Sequence, residues 1–342
     1  MKLEIEPLHL DSTHPFQIAR GTRKTFDLFV VSLAYEGLKG IGEAAPQAYY
    51  GESPLTVRAA VNSIGGLLVG TPDELLQSLN AEGGALAEVL VEHASVRAAL
   101  DIALWDLKGK LGNKPCYELL GANPANTPLT SYTIGFDSLA VIDQKVDAAR
   151  QFKILKVKVG LPGDMQVLDH VIARSGKKVR VDANEGWDIE MAIEKTRELY
   201  QRGVEFVEQP ISHEDEEGLR ELKRLSPLPV ILDESIRRPG DVSAKHDQGH
   251  GINIKLMKCG GITPAIALIE EARRLNLKVM LGCMVETSVG ITAAAHLSPI
   301  VDYADLDGNL LLRDDPFVGV KVIEGRLVLP DGPGLGVSRR PI

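Results

Sequence analysis

The sequence after residue 126 repeats one pattern eight times, and this repetition restricts the fold more than any other feature of the chain. Each repeat is a short run of β-branched and other apolar residues, followed by residues with the spacing of an amphipathic helix. The repeats recur at roughly 22 to 27 residues, which is the period of a (β/α)₈ barrel. The predicted strands span 129–135, 154–160, 178–184, 204–210, 229–235, 251–257, 278–284 and 301–307.

A doubly wound open parallel sheet also alternates strands with helices, so it is the structural alternative. Such sheets usually carry a GxGxxG motif directly after a strand, and this chain has none in that position. We therefore predict an α/β fold of the TIM-barrel type.

The residues before the barrel have a different character. The segments 2–8 and 25–35 are typical of β-strands, and 95–111 has helical spacing with Gly112 as its expected C-cap. The last residues return to short β-like pieces. The predicted organisation is an α+β capping domain over 1–125, a barrel over 126–316, and a C-terminal segment over 317–342 that returns to the capping domain.

Composition limits the location and the partners of the protein. The formal net charge of −9 argues against nucleic-acid binding, which requires clustered Lys and Arg. Three widely separated cysteines indicate reduced thiols, and the first residues lack the apolar run of a signal peptide. No segment approaches the ~18 apolar residues of a membrane helix. We expect a cytoplasmic protein without a membrane partner.

Charged residues stand at the carboxyl ends of the otherwise apolar strands. In a barrel these ends meet on one face, where barrel enzymes have their active sites. Burying charges there is costly unless they are paired or bound to a metal, so we interpret the set as catalytic rather than structural. It comprises Lys156, Lys158, Asp182, Glu208, Asp233, Lys255, Asp305 and Asp307.

Three of these carboxylates indicate a metal ion. Asp182, Glu208 and Asp233 come from the third, fourth and fifth strands, one from each. Oxygen ligands of this kind suit Mg²⁺, and zinc is disfavoured because no His or Cys lies at those strand ends. We predict a Mg²⁺ site.

The lysines suggest the reaction. Lys158 from the second strand and Lys255 from the sixth flank the carboxylates on opposite sides. One can remove a proton next to a substrate carboxylate while the other returns a proton from the opposite face. Mg²⁺ would stabilise the enediolate that forms, and the metal together with Lys156 would favour the neutral, basic form of Lys158. Some enzymes that remove a proton next to a carboxylate use this combination of a Lys base and Mg²⁺.

Several motifs together resemble the enolase superfamily, in its subgroup of muconate lactonizing enzymes. They are KVKVG (156–160), DAN (182–184), VEQP (207–210), LDES (232–235) and NIKLMKCGG (253–261). The resemblance extends over essentially the whole chain. It implies a modified (β/α)₇β barrel with a capping domain and a Mg²⁺ cofactor.

Within that subgroup the chain is most similar to dipeptide epimerases of the L-Ala-D/L-Glu type. The motif ADLDG (304–308) ends the eighth strand, and the resemblance implies that Asp305 and Asp307 bind the α-ammonium group of a dipeptide. A salt bridge or a helix N-cap at the barrel rim is the alternative role for this pair. The implied activity is an isomerase that inverts the α-carbon of the C-terminal residue of a dipeptide.

Four further residues are candidate substrate contacts. Arg23, in IARGTR, would pair with a terminal glutamate, whereas Glu286, in CMVETS, would instead favour a cationic side chain. Tyr50 lies on a second specificity loop, and Thr133 ends the first strand. The sequence does not decide between the two kinds of dipeptide side chain.

Two other functions remain open. A muconate cycloisomerase or an o-succinylbenzoate synthase belongs to the same subgroup, but its substrate lacks the ammonium group that Asp305 and Asp307 would bind. A non-catalytic carboxylate-binding protein would not need two opposed lysines. The sequence also leaves open whether the protein is a homo-oligomer.

Overall fold

A long antiparallel hairpin forms the first part of the chain in the computed structural model, which describes residues 1–341. Its strands β1 (Lys2–Ile18) and β2 (Gly21–Tyr35) pair with each other, and β3 (Leu38–Ala44) pairs with β2. The hairpin is longer than the predicted segments 2–8 and 25–35, because β1 continues past a shift in pairing between Asp11 and Phe16. The tip of the hairpin reaches the barrel rim.

Helices cover this sheet. The long helix α4 (Ala94–Leu111) packs on β3 and is buried on most sides; it agrees with the predicted helix over 95–111, and Gly112 is its C-cap. Ser53 and Thr71 each form a capping box, which satisfies the free backbone N–H groups at the start of the helices that follow them. The five helices are α1 (Pro54–Ile64), α2 (Pro72–Asn80), α3 (Ala85–Val89), α4 (Ala94–Leu111) and α5 (Cys116–Leu119).

Eight parallel strands follow in sequential order around one sheet, and a parallel bridge between Thr130 and Ala304 joins its first and last strands. Each lies within a segment predicted from the sequence, and the apolar runs that identified them are buried. The strands are β4 (Tyr132–Ile134), β5 (Ile154–Lys158), β6 (Lys178–Asp182), β7 (Val207–Glu208), β8 (Val230–Leu232), β9 (Gly251–Ile254), β10 (Lys278–Leu281) and β11 (Tyr303–Ala304).

The first seven strands are each followed by an α-helix, whereas the eighth is followed by a 3₁₀ turn over Gly308–Leu311. This is the predicted (β/α)₇β form of the barrel. The helices are α6 (Leu139–Ala148), α7 (Asp164–Ser175), α8 (Ile189–Gln201), α9 (Glu216–Leu225), α10 (Asp241–Lys245), α11 (Leu256–Cys259), α12 (Ile262–Arg274) and α13 (Ser288–Ala295).

The C-terminal segment contains four short strands, β12 (Phe317–Val318), β13 (Lys321–Ile323), β14 (Arg326–Val328) and β15 (Ser338–Arg339). It touches the first part of the chain: the backbone N–H of Leu335 donates to Asp106, and that of Cys116 donates to Gly334. The exact domain boundaries stay predictions. Among residues 1–341, no helix is both long and apolar enough to cross a membrane.

Candidate active site

The charged residues predicted at the strand ends lie together at one end of the barrel. All eight are buried, and none of them is more than 8% exposed. The parallel register explains why they meet, since Lys158 lies opposite Asp182, and Asp182 lies opposite Glu208, on neighbouring strands. A cluster of this size, with most of its charges in contact, is the arrangement expected of an active site rather than of isolated salt bridges.

Asp182, Glu208 and Asp233 form a compact set of carboxylates. One carboxylate oxygen from each residue lies within 4.8 Å of the corresponding oxygens of the other two. Two oxygens of this set, Oε2 of Glu208 and Oδ2 of Asp233, are buried, and within the described chain each contacts only a lysine ammonium group, that of Lys156 and that of Lys255. Three buried carboxylates whose oxygens converge in this way, in contact with lysine side chains, offer the hard oxygen ligands that Mg²⁺ prefers, so the residues present suit the predicted metal.

The pKa values of Glu208 and Asp233 are shifted in opposite directions. Burial, and then the charge of Asp182, raise the pKa of Glu208 to about 8. Burial also disfavours ionised Asp233, but the ammonium groups of Lys255 and Lys258 outweigh it and hold the pKa of that carboxyl well below its usual range. A divalent cation bound among them would favour the ionised form of all three.

Three lysines bring positive charge to the carboxylates. Nζ of Lys156 lies 3.0 Å from Asp182 and 2.6 Å from Glu208, and it also lies 2.7 Å from Asp305. Nζ of Lys158 lies 2.6 Å from Oδ2 of Asp182. Nζ of Lys255 reaches Oδ2 of Asp233, at 2.7 Å. Lys158, at the end of β5, therefore contacts Asp182, whereas Lys255, just after β9, contacts Asp233.

Burial opposes the charge of Lys156, but the carboxylates around it raise its pKa well above the usual value. For Lys255, burial is likewise outweighed by Asp233 and Glu208, so its pKa is also raised. Both shifts depend on free carboxylates. A cation bound to those carboxylates would neutralise them and remove the cause of the shift.

Asp305 and Asp307 follow β11 and have different partners. Asp305 accepts hydrogen bonds from Lys156 and from Ser131, at 2.7 and 2.6 Å. Asp307 accepts from the backbone N–H and the hydroxyl of Thr133, at 2.6 and 3.3 Å. Burial and the neighbouring Asp305 raise the pKa of Asp307 to about 7. Asp305 is thus part of an ion pair, whereas Asp307 has no cationic partner of its own among the described residues.

A cavity of about 400 Å³ opens beside these groups, between the barrel and the capping loops. Lys156, Lys158, Asp305 and Asp307 line its floor on the barrel side. Its other walls are mostly apolar and come from the hairpin tip, the loop after β3 and the loops after β10 and β11. They include Phe16, Ile18, Phe26, Tyr49, Tyr50, Met284, Val285 and Leu311.

The predicted substrate contacts divide into two groups. Arg23, Tyr50 and Thr133 line the cavity, and Nη1 of Arg23 donates to Gln47 at 3.2 Å. Glu286 does not line it: the residue is 2% exposed, and its carboxylate accepts a hydrogen bond from the backbone N–H of Met284. Burial raises the pKa of Glu286 to about 8, so it is poorly placed to pair with a cationic substrate side chain.

Sequence reasoning missed a group of residues that joins the hairpin tip to the barrel rim. Nη2 of Arg20 lies 2.6 Å from the buried carboxylate of Glu234. The hydroxyl of Tyr49 donates to Glu185 at 2.6 Å, and His213 pairs with that carboxylate. The signal in the sequence was weak: Glu185 and Glu234 lie in the loops after β6 and β8, close to motif residues that already had a predicted role.

Comparison with known proteins agrees with this architecture. Residues 4–121 match the family model described as "Mandelate racemase / muconate lactonizing enzyme, N-terminal domain". Residues 140–341 match the model described as "Enolase C-terminal domain-like".

Individual relatives are similar over nearly their whole length. An L-Ala-D/L-Glu epimerase of Bacteroides thetaiotaomicron is 39% identical over 99% of this chain and 88% of its own. An L-Ala-D/L-amino acid epimerase of Flavobacterium johnsoniae is 37% identical over 94% of this chain and 95% of its own. A solved dipeptide epimerase of Enterococcus faecalis, complexed with Mg and L-Leu-L-Tyr, is 31% identical with a TM-score of 0.90, covering 98% of this chain and 99% of that chain.

Proposed function

The chain belongs to the mandelate racemase / muconate lactonizing enzyme family of the enolase superfamily, and from this premise we propose that it is a Mg²⁺-dependent dipeptide epimerase. One observation carries the proposal: lysines from two different strand ends contact one buried carboxylate set, beside a cavity that also contains Asp307 without a cationic partner among the described residues. The relatives named as dipeptide epimerases support it.

We propose that Asp182, Glu208 and Asp233 hold the Mg²⁺ ion. When bound there, the metal would supply Lewis-acid stabilisation of the negative charge that develops on the substrate carboxylate during proton removal. The three carboxylates otherwise repel one another, and the cations in contact with them among the described residues are Lys156, Lys158, Lys255 and Lys258.

Lys158 and Lys255 are the proposed bases. One removes the α-proton of the C-terminal residue and the other delivers a proton to the opposite face, which inverts the stereocentre. Each must become neutral before it can act as a base, and each now contacts a carboxylate of the metal set. Lys156 contacts three carboxylates at once, so we assign it the role of a fixed positive charge.

The dipeptide ammonium group is assigned to Asp305 and Asp307. Asp307 supports this assignment best, because the described chain gives it hydrogen-bond donors from Thr133 but no cation. An ammonium group would provide that cation and favour the ionised carboxylate, whose pKa is otherwise raised to about 7 by burial and by Asp305.

The C-terminal side chain of the dipeptide would lie near the hairpin tip. Arg23 lines that wall and is the cationic residue that the sequence predicts as a specificity residue. Its hydrogen-bond partner in the structure, Gln47, is neutral. An acidic side chain could replace Gln47 as the partner of Arg23. The apolar walls would accept the methylene groups of such a side chain, so we propose L-Ala-L-Glu as the first substrate to test.

The deciding experiment is a dipeptide screen in D₂O with Mg²⁺, in which mass spectrometry detects deuterium at the C-terminal α-carbon. Exchange of L-Ala-L-Glu by the wild type would support the reaction. If an Arg23→Met variant exchanges L-Ala-L-Glu much more weakly but exchanges L-Ala-L-Leu like the wild type, the result would support the role of Arg23. Equal loss on both dipeptides would contradict the role of Arg23. Lack of exchange with every dipeptide would overturn the epimerase proposal, and o-succinylbenzoate- and muconate-type substrates would be tested next.

We also propose that the enzyme works in the cytoplasm and does not bind nucleic acid. All three cysteines are free within the described chain, and the net charge of −9 disfavours a nucleic-acid partner.

A further inference from the structure

We propose that Asn253 and Lys258 are positioning residues that bind one oxygen of a metal carboxylate each and leave the other oxygen for Mg²⁺. The inference rests on the proposed function, because it concerns the same metal site. Both residues come from the segment that also carries Lys255: Asn253 lies in β9 and Lys258 lies in α11.

The two oxygens of each carboxylate have different surroundings. Oδ1 of Asp182 accepts from the backbone N–H of Asn184 at 3.0 Å. Oε1 of Glu208 accepts from the side-chain amide of Asn253 at 2.7 Å. Oδ1 of Asp233 accepts from Nζ of Lys258. Every carboxylate therefore has one oxygen held by a donor of the protein.

The second oxygens point to the lysines of the proposed reaction. Oδ2 of Asp182 faces Lys156 and Lys158, Oε2 of Glu208 faces Lys156 at 2.6 Å, and Oδ2 of Asp233 faces Lys255 at 2.7 Å. If the held oxygens were free, a carboxylate could rotate or bind the cation through both oxygens. The held oxygens thus restrict each residue to a single ligand atom on the side of the catalytic lysines.

Lys258 is bound too completely to serve as a third base. Its Nζ donates to the backbone carbonyl of Asp233 at 2.5 Å and to that of Asn253 at 3.1 Å, in addition to the Asp233 carboxylate. An ammonium group has three N–H donors, so these acceptors use all of them. Its side chain is 1% exposed. It acts as a fixed cation.

Asn253 reaches Glu208 because the neighbouring strand gives it room. A Cβ atom at Gly282, just after β10, would lie 2.6 Å from Oδ1 of Asn253. Because residue 282 is a glycine, the side-chain amide of Asn253 can keep the orientation in which its nitrogen donates to Glu208. This local packing connects the ends of β9 and β10 to Glu208, the metal ligand at the end of β7.

The test measures Mg²⁺ binding by isothermal titration calorimetry on chelator-treated Lys258→Met and Asn253→Ala enzymes. Loss of such outer contacts typically weakens metal binding by about 10- to 100-fold, and we expect a weakening of that size for each variant. Lys145→Met is the matched control: Lys145 is also buried, but it contacts Gly135 and Asp137 instead of the metal carboxylates. It should bind Mg²⁺ like the wild type.

Circular dichroism of the metal-free proteins separates folding from positioning. If Lys258→Met does not fold, Asn253→Ala alone decides. Wild-type Mg²⁺ affinity in a folded Asn253→Ala variant, or equal weakening in Lys145→Met, would overturn the inference while leaving the proposed function intact. A wild-type enzyme that bound no Mg²⁺ would overturn the metal site itself and this inference with it.

Discussion

At the scale of single residues, four lysines of the site have the same side chain but different proposed roles. Lys156, Lys158, Lys255 and Lys258 are all buried and all contact carboxylates. Lys156 and Lys258 each have several acceptors, which hold their ammonium groups in place. Lys158 and Lys255 each have one carboxylate partner, and a cation bound to that partner would release the lysine for proton transfer. The number of acceptors, and not the residue type, therefore distinguishes the two proposed bases from the two proposed fixed charges.

The two bases can be tested separately. Lys158→Ala and Lys255→Ala should each lower the rate of epimerisation by roughly 10²- to 10⁴-fold, which is the usual contribution of proton transfer by a positioned base. Each variant should still exchange the α-proton of one epimer, the one whose proton faces the remaining lysine. Exchange of L,L- and L,D-dipeptides in D₂O measures this directly. Loss of exchange with both epimers in both variants would contradict a two-base mechanism.

Asp307 permits a test of ammonium recognition. Asp307→Asn preserves the size of the side chain and its contact with Thr133 but removes its charge. A hydrogen bond to a charged group contributes about 1.5–3 kcal/mol, so kcat/KM for a dipeptide should fall about 10- to 150-fold. Mg²⁺ affinity, measured by calorimetry, should stay unchanged because Asp307 does not contact the metal carboxylates. An unchanged kcat/KM would remove Asp307 from the ammonium site.

At the scale of secondary-structure elements, the strand ends could be predicted from the sequence and their partners could not. A run such as that of β5 is apolar up to Lys156 and Lys158, so the charge marks the end of the strand and the parallel fold gathers such ends on one face. The pairing of Lys258 with Asp233 depends instead on the path of α11, a four-residue helix whose sequence pattern is too short to place a side chain. Arg20 reaches Glu234 because β1 continues to Ile18, beyond the segment with a recognisable strand pattern.

The contact between β3 and α4 provides a prediction at this scale. A Cβ atom at Gly42 would lie 1.9 Å from the backbone carbonyl oxygen of Ala99, which cannot move without shifting α4. Gly42→Ala should therefore lower the free energy of unfolding by about 3 kcal/mol, as overpacking of a tight interior does. Urea denaturation measures this change.

Gly65→Ala is the matched control for that variant. Gly65 has a helical backbone conformation, and a Cβ atom there would meet no heavy atom within 4 Å. Its substitution should change stability by about 0.5 kcal/mol or less. Equal stability of the two variants would contradict the close approach of β3 and α4.

At the scale of the whole molecule, the barrel, the capping domain and the C-terminal segment meet at a few buried polar residues. Asp106 in α4 accepts from the backbone of Ile41 and of Leu335. Glu43, at the end of β3, accepts from the backbone N–H groups of Thr287 and Gly290 at the start of α13. Because Thr287 and Gly290 follow the cavity-lining loop of β10, the capping domain holds in place a part of the barrel that forms the proposed substrate site.

His296, just after α13, joins the same three parts and makes stability depend on pH. Its Nδ1 accepts from the backbone N–H of Tyr117 in α5, so Nε2 carries the proton toward the carbonyl of Leu335. Burial lowers the pKa of His296 from 6.5 to about 4. The unfolded chain therefore binds a proton between pH 6.5 and pH 4 that the folded chain does not, and stability is lost as the pH falls through this range. From pH 7.5 to pH 5 the loss should be about 2 kcal/mol.

A His296→Gln variant isolates this contribution, because glutamine does not titrate and can offer one donor and one acceptor. Buried carboxyl groups with raised pKa values, such as Glu43 at about 7, change stability in the opposite direction over the same range. The informative quantity is consequently the difference between the two proteins: urea unfolding should show the wild type losing about 2 kcal/mol more than His296→Gln between pH 7.5 and pH 5. Parallel pH profiles would mean that His296 can be protonated without separating α5 and the C-terminal segment from the barrel.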